Sequence, residues 1–179
     1  GETEGSFKVP PVAMTSNDKN LVWEYLAVTD ELMIGSLGYP NTQQSWWSRA
    51  YPESRNLFAL EKSTGELRWI YTAEEGIDSN AVAIDDGIVC LIDGLPRYDF
   101  LARRGETSPE KAGQNRTLLA LDLDSGRVLW RQHNIRPTQN SLWMDDGVVV
   151  ATPNPIGKDM TDPGVIKAGG GISAYSTEN

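Results

Sequence analysis

The chain has 179 residues, 39% of them hydrophobic, which is enough material for one ordinary domain with a core of its own. Sixteen basic residues against twenty-five acidic ones leave a formal charge of -9, which argues against a general nucleic-acid binder or a partner for anionic membranes, since both need a positive face. No apolar run approaches the roughly 18 residues that span a bilayer, and the single cysteine, Cys90 in IVCLI, excludes an internal disulfide or a CxxC metal site and reads as a buried small hydrophobe.

Residues 1–20 open the chain with GETEGSFKVPP, which has neither the basic start nor the apolar stretch of a signal peptide, and read as an N-terminal extension or linker. LAVTDELMIGS at 26–36 is a first pair of short apolar runs across a turn. NLFALEKSTGELRW at 56–69 follows. AVAIDDGIVCLIDG at 81–94 places two β-branched runs around Asp85-Asp86-Gly87, a strong local signal for a hairpin. TLLALDL and RVLWRQ flank Asp124-Ser125-Gly126 and are expected to form a hairpin in the same way. SLWMDDGVVVATPN at 141–154 repeats the Asp-Asp-Gly pattern with Asp145, Asp146 and Gly147, and GGISAYSTEN closes the chain.

The same line is therefore written twice. From Ala59 the pattern runs through Glu61, Thr64 and Gly65 to Trp69; from Ala120 it runs through Asp122, Ser125 and Gly126 to Trp130. Ala174 begins a third instance that the sequence leaves inside the motif. No helical period of useful length interrupts these units, so each reads as a four-stranded antiparallel meander, the unit of a β-propeller blade. The expected organisation is an all-β partial propeller over 21–179, with about three blades at approximately 21–73, 78–133 and 139–179, and part of a larger propeller.

AxExxTGxxxW at 59–69 and AxDxxSGxxxW at 120–130 resemble the tryptophan-docking motif of the pyrroloquinoline-quinone-like β-propellers, the repeat family of the quinoprotein alcohol dehydrogenases. The resemblance implies structural roles for Ala59, Gly65, Trp69, Ala120, Gly126 and Trp130: the alanine packs between sheets, the glycine turns the outer hairpin, and the tryptophan docks on the next blade. Trp130, backed by the following meander, is expected to carry more of this packing than Trp69.

Binding is expected where the repeat is interrupted. Insertions at roughly 37–55, 93–116 and 153–169 all fall between the second and third strands of a unit, which gathers them on one face of the disc. The first brings Trp46, Trp47, Arg49 and Tyr51; the second brings Arg97, Tyr98, Arg103 and Arg104, with Phe100 among them. Aromatic and arginine side chains are the types enriched at binding hot spots, although the commoner role for Trp46 and Trp47 is to pin a long loop onto the disc, and Arg103-Arg104 beside Glu106 is more often a solvated surface pair than an anion site.

Other candidates point away from catalysis. His133 has no Ser or Cys partner pattern and no second histidine at ligand spacing. The Asp-Asp-Gly pairs recur at hairpin turns, which favours turn chemistry over acid–base work. Asp159-Met160-Thr161-Asp162 lacks the carboxylate spacing of a calcium loop, and Asn115-Arg116-Thr117 fits the N-glycosylation pattern alone. Asn80, at the start of an innermost strand, is placed to face a central channel.

Quinone enzymes of the resembled family imply a cofactor at the centre of one face, a calcium ion, a catalytic aspartate and often a disulfide between adjacent cysteines. A chain with only Cys90 cannot form that disulfide, and about three blades fall short of their usual eight. Relatives with the same motif serve as non-enzymatic scaffolds, the outer-membrane assembly lipoprotein of bacteria among them. The expected function is a non-catalytic binding or scaffold module that uses the insertion face, with no cofactor, no metal site and no assigned catalytic residue. Its partner is another protein or the remainder of a larger propeller, without nucleic acid or a transmembrane segment, and the family points to an extracytoplasmic location. The alternative is part of a quinoprotein alcohol or sugar dehydrogenase, with pyrroloquinoline quinone and calcium.

Overall fold

A computed structural model describes residues 10, 21–38, 53–94, 116–135, 139–153 and 173–178, and every regular element among them is a strand. In chain order these are β1 (Val22–Val28), β2 (Leu32–Gly38), β3 (Glu53–Glu61), β4 (Leu67–Asp85), β5 (Ile88–Asp93), β6 (Thr117–Asp122), β7 (Val128–His133), β8 (Gln139–Asp145), β9 (Val148–Pro153) and β10 (Ser173–Ser176). Within each of two sheets successive strands pair antiparallel, giving a seven-stranded sheet in the order β1 to β7 and a three-stranded sheet β8-β9-β10. The fold is an all-β partial propeller.

Local chemistry sets the turns. Asp86 and Gly87 have φ of 40° and 75°, and Asp146 and Gly147 have 46° and 73°, so both central residues of each turn lie in the left-handed region. That is the mirror-image turn whose twist suits a hairpin. The turn between β1 and β2 has no glycine and no positive φ; there the Thr29 hydroxyl accepts from Leu32 N at 3.0 Å instead. The turns after β3 and β6 form a third type and do not copy the Asp-Asp-Gly hairpins. Each is a longer loop, closed by Glu61 N to Glu66 O and Asp122 N to Arg127 O, both 2.8 Å, with only Gly65 (φ 75°) and Gly126 (φ 67°) left-handed. A register shift follows each motif alanine, between Ala59 and Leu60 and between Ala120 and Leu121.

Packing runs from one meander to the next. Ile34, Leu57, Ala59 and Trp69 meet Val82, Val89, Leu91, Leu119 and Leu121 in one buried cluster. Cys90, Ile92, Leu118 and Ala120 meet Val149 in a second, with Leu142, Met144 and Tyr175 partly buried against it. Each fully buried Leu or Ile contributes about 1.5–3 kcal/mol by leaving water, so these clusters are the main adhesive between meanders. Tryptophans close both seams: Trp69 Nε1 donates to Leu123 O at 2.8 Å, and Trp130 Nε1 donates to Thr177 O at 2.9 Å. The Trp69 ring lies on Gly126, where an added Cβ would stand 2.6 Å from Cδ2 and 2.7 Å from Cγ. Trp69 is 7% exposed and Trp130 only half-buried, so the greater burial belongs to Trp69, opposite to the order expected from chain position.

One feature departs from four short strands per unit. The outer strand of the first meander and the inner strand of the second are a single 19-residue strand, β4, which pairs with β3 over Leu67–Asp78 and with β5 over Ile77–Asp85. Gly76, at φ 145°, sits where the strand passes from one meander to the next.

Candidate functional site

The connections from β2 to β3, from β5 to β6 and from β9 to β10 leave from the same end of the meanders. The pairs Gly38 with Ser54, Asp93 with Thr117, and Ala151 with Ser173 mark the three roots. The middle of β4 reaches this end as well, through the pairs Glu53 with Asp78 and Ile77 with Asp93. The three insertions therefore arise from one end of the sheets. Trp46, Trp47, Arg49, Tyr51, Arg97, Tyr98, Arg103 and Arg104, with Asp159 and Asp162, lie outside the described residues.

The strand ends beneath the insertions form a polar floor. Ser54 Oγ donates to Ser36 Oγ at 2.9 Å and lies 3.0 Å from Ser79 Oγ, which is itself 3.3 Å from Ser36 Oγ. This buried triangle joins β2 and β3 to the inner strand of the second meander. Buried hydroxyls require partners, and three of them here satisfy one another across the seam.

Asp93 holds the passage of β4. Its Oδ2 accepts from Tyr71 OH and from Glu74 N, both at 2.8 Å, and its Oδ1 accepts from Glu75 N at 3.0 Å and Gly76 N at 3.2 Å. Three successive amides that leave the β ladder are thus gathered on one carboxylate. Burial, then the charge of Asp93 and its hydrogen bond, push the Tyr71 phenol well above its ordinary value, so it stays a donor to Asp93. Asp78 does a smaller version of the same work, accepting from Asn80 N at 3.0 Å.

The second insertion is tied at its root. Arg116 is 1% exposed, and its Nε donates to Gly94 O at 3.3 Å, joining the last described residue before the insertion to the first after it. Gly94 N donates to Gly76 O at 2.7 Å, and Ile135 N donates to Arg116 O at 3.2 Å. Gly94 has φ 130°, and an added Cβ would stand 2.7 Å from Arg116 Cα, so no other residue fits. The two described ends of the second insertion are therefore fixed to each other.

The remaining sequence candidates fall elsewhere. His133 Nδ1 lies 3.1 Å from Thr117 Oγ1 across β6 and β7, on the exposed side of that pair. Asn80 is exposed, and Cys90 is buried, its thiol pushed up to about 12 by desolvation. Among the described residues no group of three or more His, Cys, Asp or Glu stands close enough to hold a metal ion, and no helix is long and apolar enough to cross a membrane. Asp93, Arg116 and the serine triangle carried no sequence signal: they occur once and do not share the repeat. Their partners are 17 to 43 residues away in sequence, and for the Arg116–Gly94 pair the only clue is that it brackets the insertion.

Antiparallel meanders, packed face to face with an indole bridging each seam, define a repeat protein of the β-propeller class. The chain belongs to the family described as outer membrane protein assembly factor BamB, whose model matches residues 48–161. Among solved structures, BamB from Moraxella catarrhalis is 17% identical and superposes with a TM-score of 0.50 over 90% of this chain and 35% of its own. A europium-containing methanol dehydrogenase is 14% identical, with a TM-score of 0.48 over 86% of this chain and 22% of its own. The quinohemoprotein alcohol dehydrogenase ADHIIG from Pseudomonas putida HK5 is 17% identical, with a TM-score of 0.46 over 86% and 19%. The chain thus spans about a third of the length of that BamB and about a fifth of each dehydrogenase. No curated protein sequence matches it.

Proposed function

We propose that the chain is a non-catalytic binding module that recruits a protein partner through its insertion-bearing end, in an extracytoplasmic assembly. The observation that carries this reading is the common root of the three insertions, above a floor whose polar groups are engaged with one another. Asp93 is occupied by three amides and a phenol, and the serines by each other, so the described floor offers shape and rigidity rather than a reactive group. Family membership supports a scaffold role and a location outside the cytoplasm, since the family takes its description from an outer membrane assembly factor. Each repeat unit serves as a blade, at approximately 21–73, 78–133 and 139–179, with Trp69 and Trp130 as docking residues. In this reading Trp46, Trp47, Arg97 and Tyr98 supply the contacts, and neither pyrroloquinoline quinone nor calcium is required.

Site-specific photo-crosslinking tests the proposal. A photoreactive side chain at position 46 or 98 is expected to trap a discrete protein partner in cell envelopes. The same group at Ser63 or Asp124, at the opposite end of the meanders, is expected to trap none. Equal trapping at both ends would refute the assignment of the face. Saturable binding of pyrroloquinoline quinone with calcium, accompanied by dye-linked alcohol oxidation, would replace the scaffold with an enzyme.

A further inference from the structure

One flat side of the first meander is buried, and by something narrower than a sheet. In the second meander Val89 pairs with Leu121 and Leu91 with Leu119, and all four are buried where that meander meets the first. The matching pairs in the first meander are Met33 with Leu60 and Gly35 with Phe58. Side chains alternate along a strand, so these positions point away from Ile34 and Ala59, which face the second meander. Met33, Phe58 and Leu60 join Leu37 in a separate cluster, which no residue of β5 to β10 enters among the described residues. Phe58 and Leu60 are nonetheless 0%, Leu37 5% and Met33 8% exposed. The cover over them belongs to this chain.

Trp23 supplies the middle of that cover. Its ring meets Phe58 with 5.5 Å between centroids and 59° between planes, and a Cβ on Gly35 would stand 2.2 Å from Trp23 Cζ3, so the bare glycine, in the place of Leu91, makes room for the indole. Leu26 and Val28 pair with Gly35 and Met33 and lie on the same side of the sheet, yet they are 57% and 60% exposed. Val82, in the place of Leu26, is buried beneath a whole meander. The cover over the first meander thus crosses β2 and β3 and stops short of Leu26 and Val28, as one length of chain does and a packed sheet does not. Two observations name that length of chain. Leu21, just before β1, packs on the cluster, so the chain enters β1 from this side, and Pro10 is itself buried. Around Pro10 the sequence FKVPPVAM, residues 7–14, is the most apolar part of the stretch that precedes β1.

We propose that residues 7–14 are an intramolecular cap, docked by their apolar side chains on the Met33, Leu37, Phe58 and Leu60 side of the first meander. The cap takes the place that a neighbouring meander takes on the second. Pro10 and Pro11 have no N–H to give to a strand ladder, which suits a segment that lies on a sheet face rather than one that extends a sheet edge. The stretch before β1 is then a strap and not a free linker, and any sheet that approaches the first meander from this side has to displace it. This inference concerns a flat face of the first meander and is independent of the insertion end.

Thiol labelling of the 179-residue chain provides the test, with Met33→Cys as the probe beneath the cap, Leu26→Cys as the probe beside it and the native Cys90, buried in the second meander, as the reference for global opening. Position 33 is expected to label slowly and position 26 fast. Adding Pro10→Asp, which places a charge in the apolar contact, is expected to speed labelling at position 33 at least about tenfold and to leave positions 26 and 90 unchanged. Fast labelling at position 33 without Pro10→Asp, or a rate there that ignores Pro10→Asp, would overturn the proposal. Should Pro10→Asp loosen the whole chain, seen as faster labelling at Cys90, photo-crosslinking within the monomer decides the matter. A benzophenone side chain at position 9 or 12 is expected to attach to β2 or β3, and attachment to other strands alone, or none, would overturn the cap.

Discussion

Removing the indole at the first seam should injure the fold more than removing the one at the second. Trp69 is nearly enclosed, its ring flat on Gly126 and its N–H on Leu123 O at 2.8 Å, whereas Trp130 has the same hydrogen bond but a half-exposed ring. Truncating a buried tryptophan to alanine costs about 3–5 kcal/mol through lost transfer energy and the cavity left behind. Of this, about 1–3 kcal/mol belongs to the stranded Leu123 carbonyl if water does not reach it. Trp69→Ala should fall in the upper half of that range and Trp130→Ala nearer about 2–3 kcal/mol, since area that is already wet contributes nothing when deleted. Trp69→Phe separates the contributions: the ring keeps most of its contact while the N–H is lost, for a cost of about 1–2 kcal/mol. Urea unfolding with an unchanged slope is the assay, read as the shift in midpoint. Equal midpoints for parent and Trp69→Ala, or a larger loss for Trp130→Ala, would refute the reasoning.

Gly126→Ala should cost about 2–4 kcal/mol, combining left-handed backbone strain with collision against the Trp69 ring, while Gly87→Ala should cost only about 1 kcal/mol, since its added methyl meets nothing within 4 Å. Thermal melts of the two variants compare them, and a Gly126→Ala/Trp69→Ala double variant should show coupling because the collision disappears. Asp93→Asn should destabilise by about 2 kcal/mol and speed hydrogen exchange at the Glu74, Glu75 and Gly76 amides, which exchange readily once their charged acceptor is gone. Asp122 is held below its ordinary value, first by the Ser125 hydroxyl and then by the Ser125 amide. A lowered folded value means its small contribution is present above the unfolded carboxylate range and vanishes as pH falls through the folded value. The melting difference between parent and Ser125→Ala should therefore close below about pH 4.

The repeat was legible because its cues are local. Asp85-Asp86-Gly87 and Asp145-Asp146-Gly147 announce their hairpins through a glycine and an aspartate that tolerate positive φ, and the structure places both residues there. The Thr29–Leu32 turn looked weaker for the same reason: without glycine it cannot take that form, and it relies on a threonine hydroxyl. The continuity of β4 was not legible. YTAEEGIDSNAVAID contains a glycine and several polar residues, which read as punctuation between two strands. What keeps the chain extended there is the Asp93 carboxylate, 17 to 19 residues away, gathering the amides that the ladder releases. Burial of Arg116 was equally hidden, since an arginine beside a long insertion reads as solvated until Gly94 is seen pressed against it.

The two ends of the meanders obey different constraints, and this accounts for where the repeat is strict and where it fails. At the outer turns one residue serves two meanders at once: Gly126 shapes its own loop and floors the ring of Trp69, and Leu123 continues its own turn while accepting the indole of its neighbour. A change there is felt on both sides of a seam, so the line from alanine to tryptophan recurs with little latitude. At the insertion end the positions equivalent to Ser36 are Ile92 and Thr152, and the position of Asp93 is held by Leu37 and Pro153 in the other meanders. The first two roots are secured by different devices, a hydroxyl triangle under the first and an arginine clasp at the second. Because the triangle and the clasp share no residue, a change in the first or second insertion leaves the device at the other root in place. That independence suits the binding role proposed for this end.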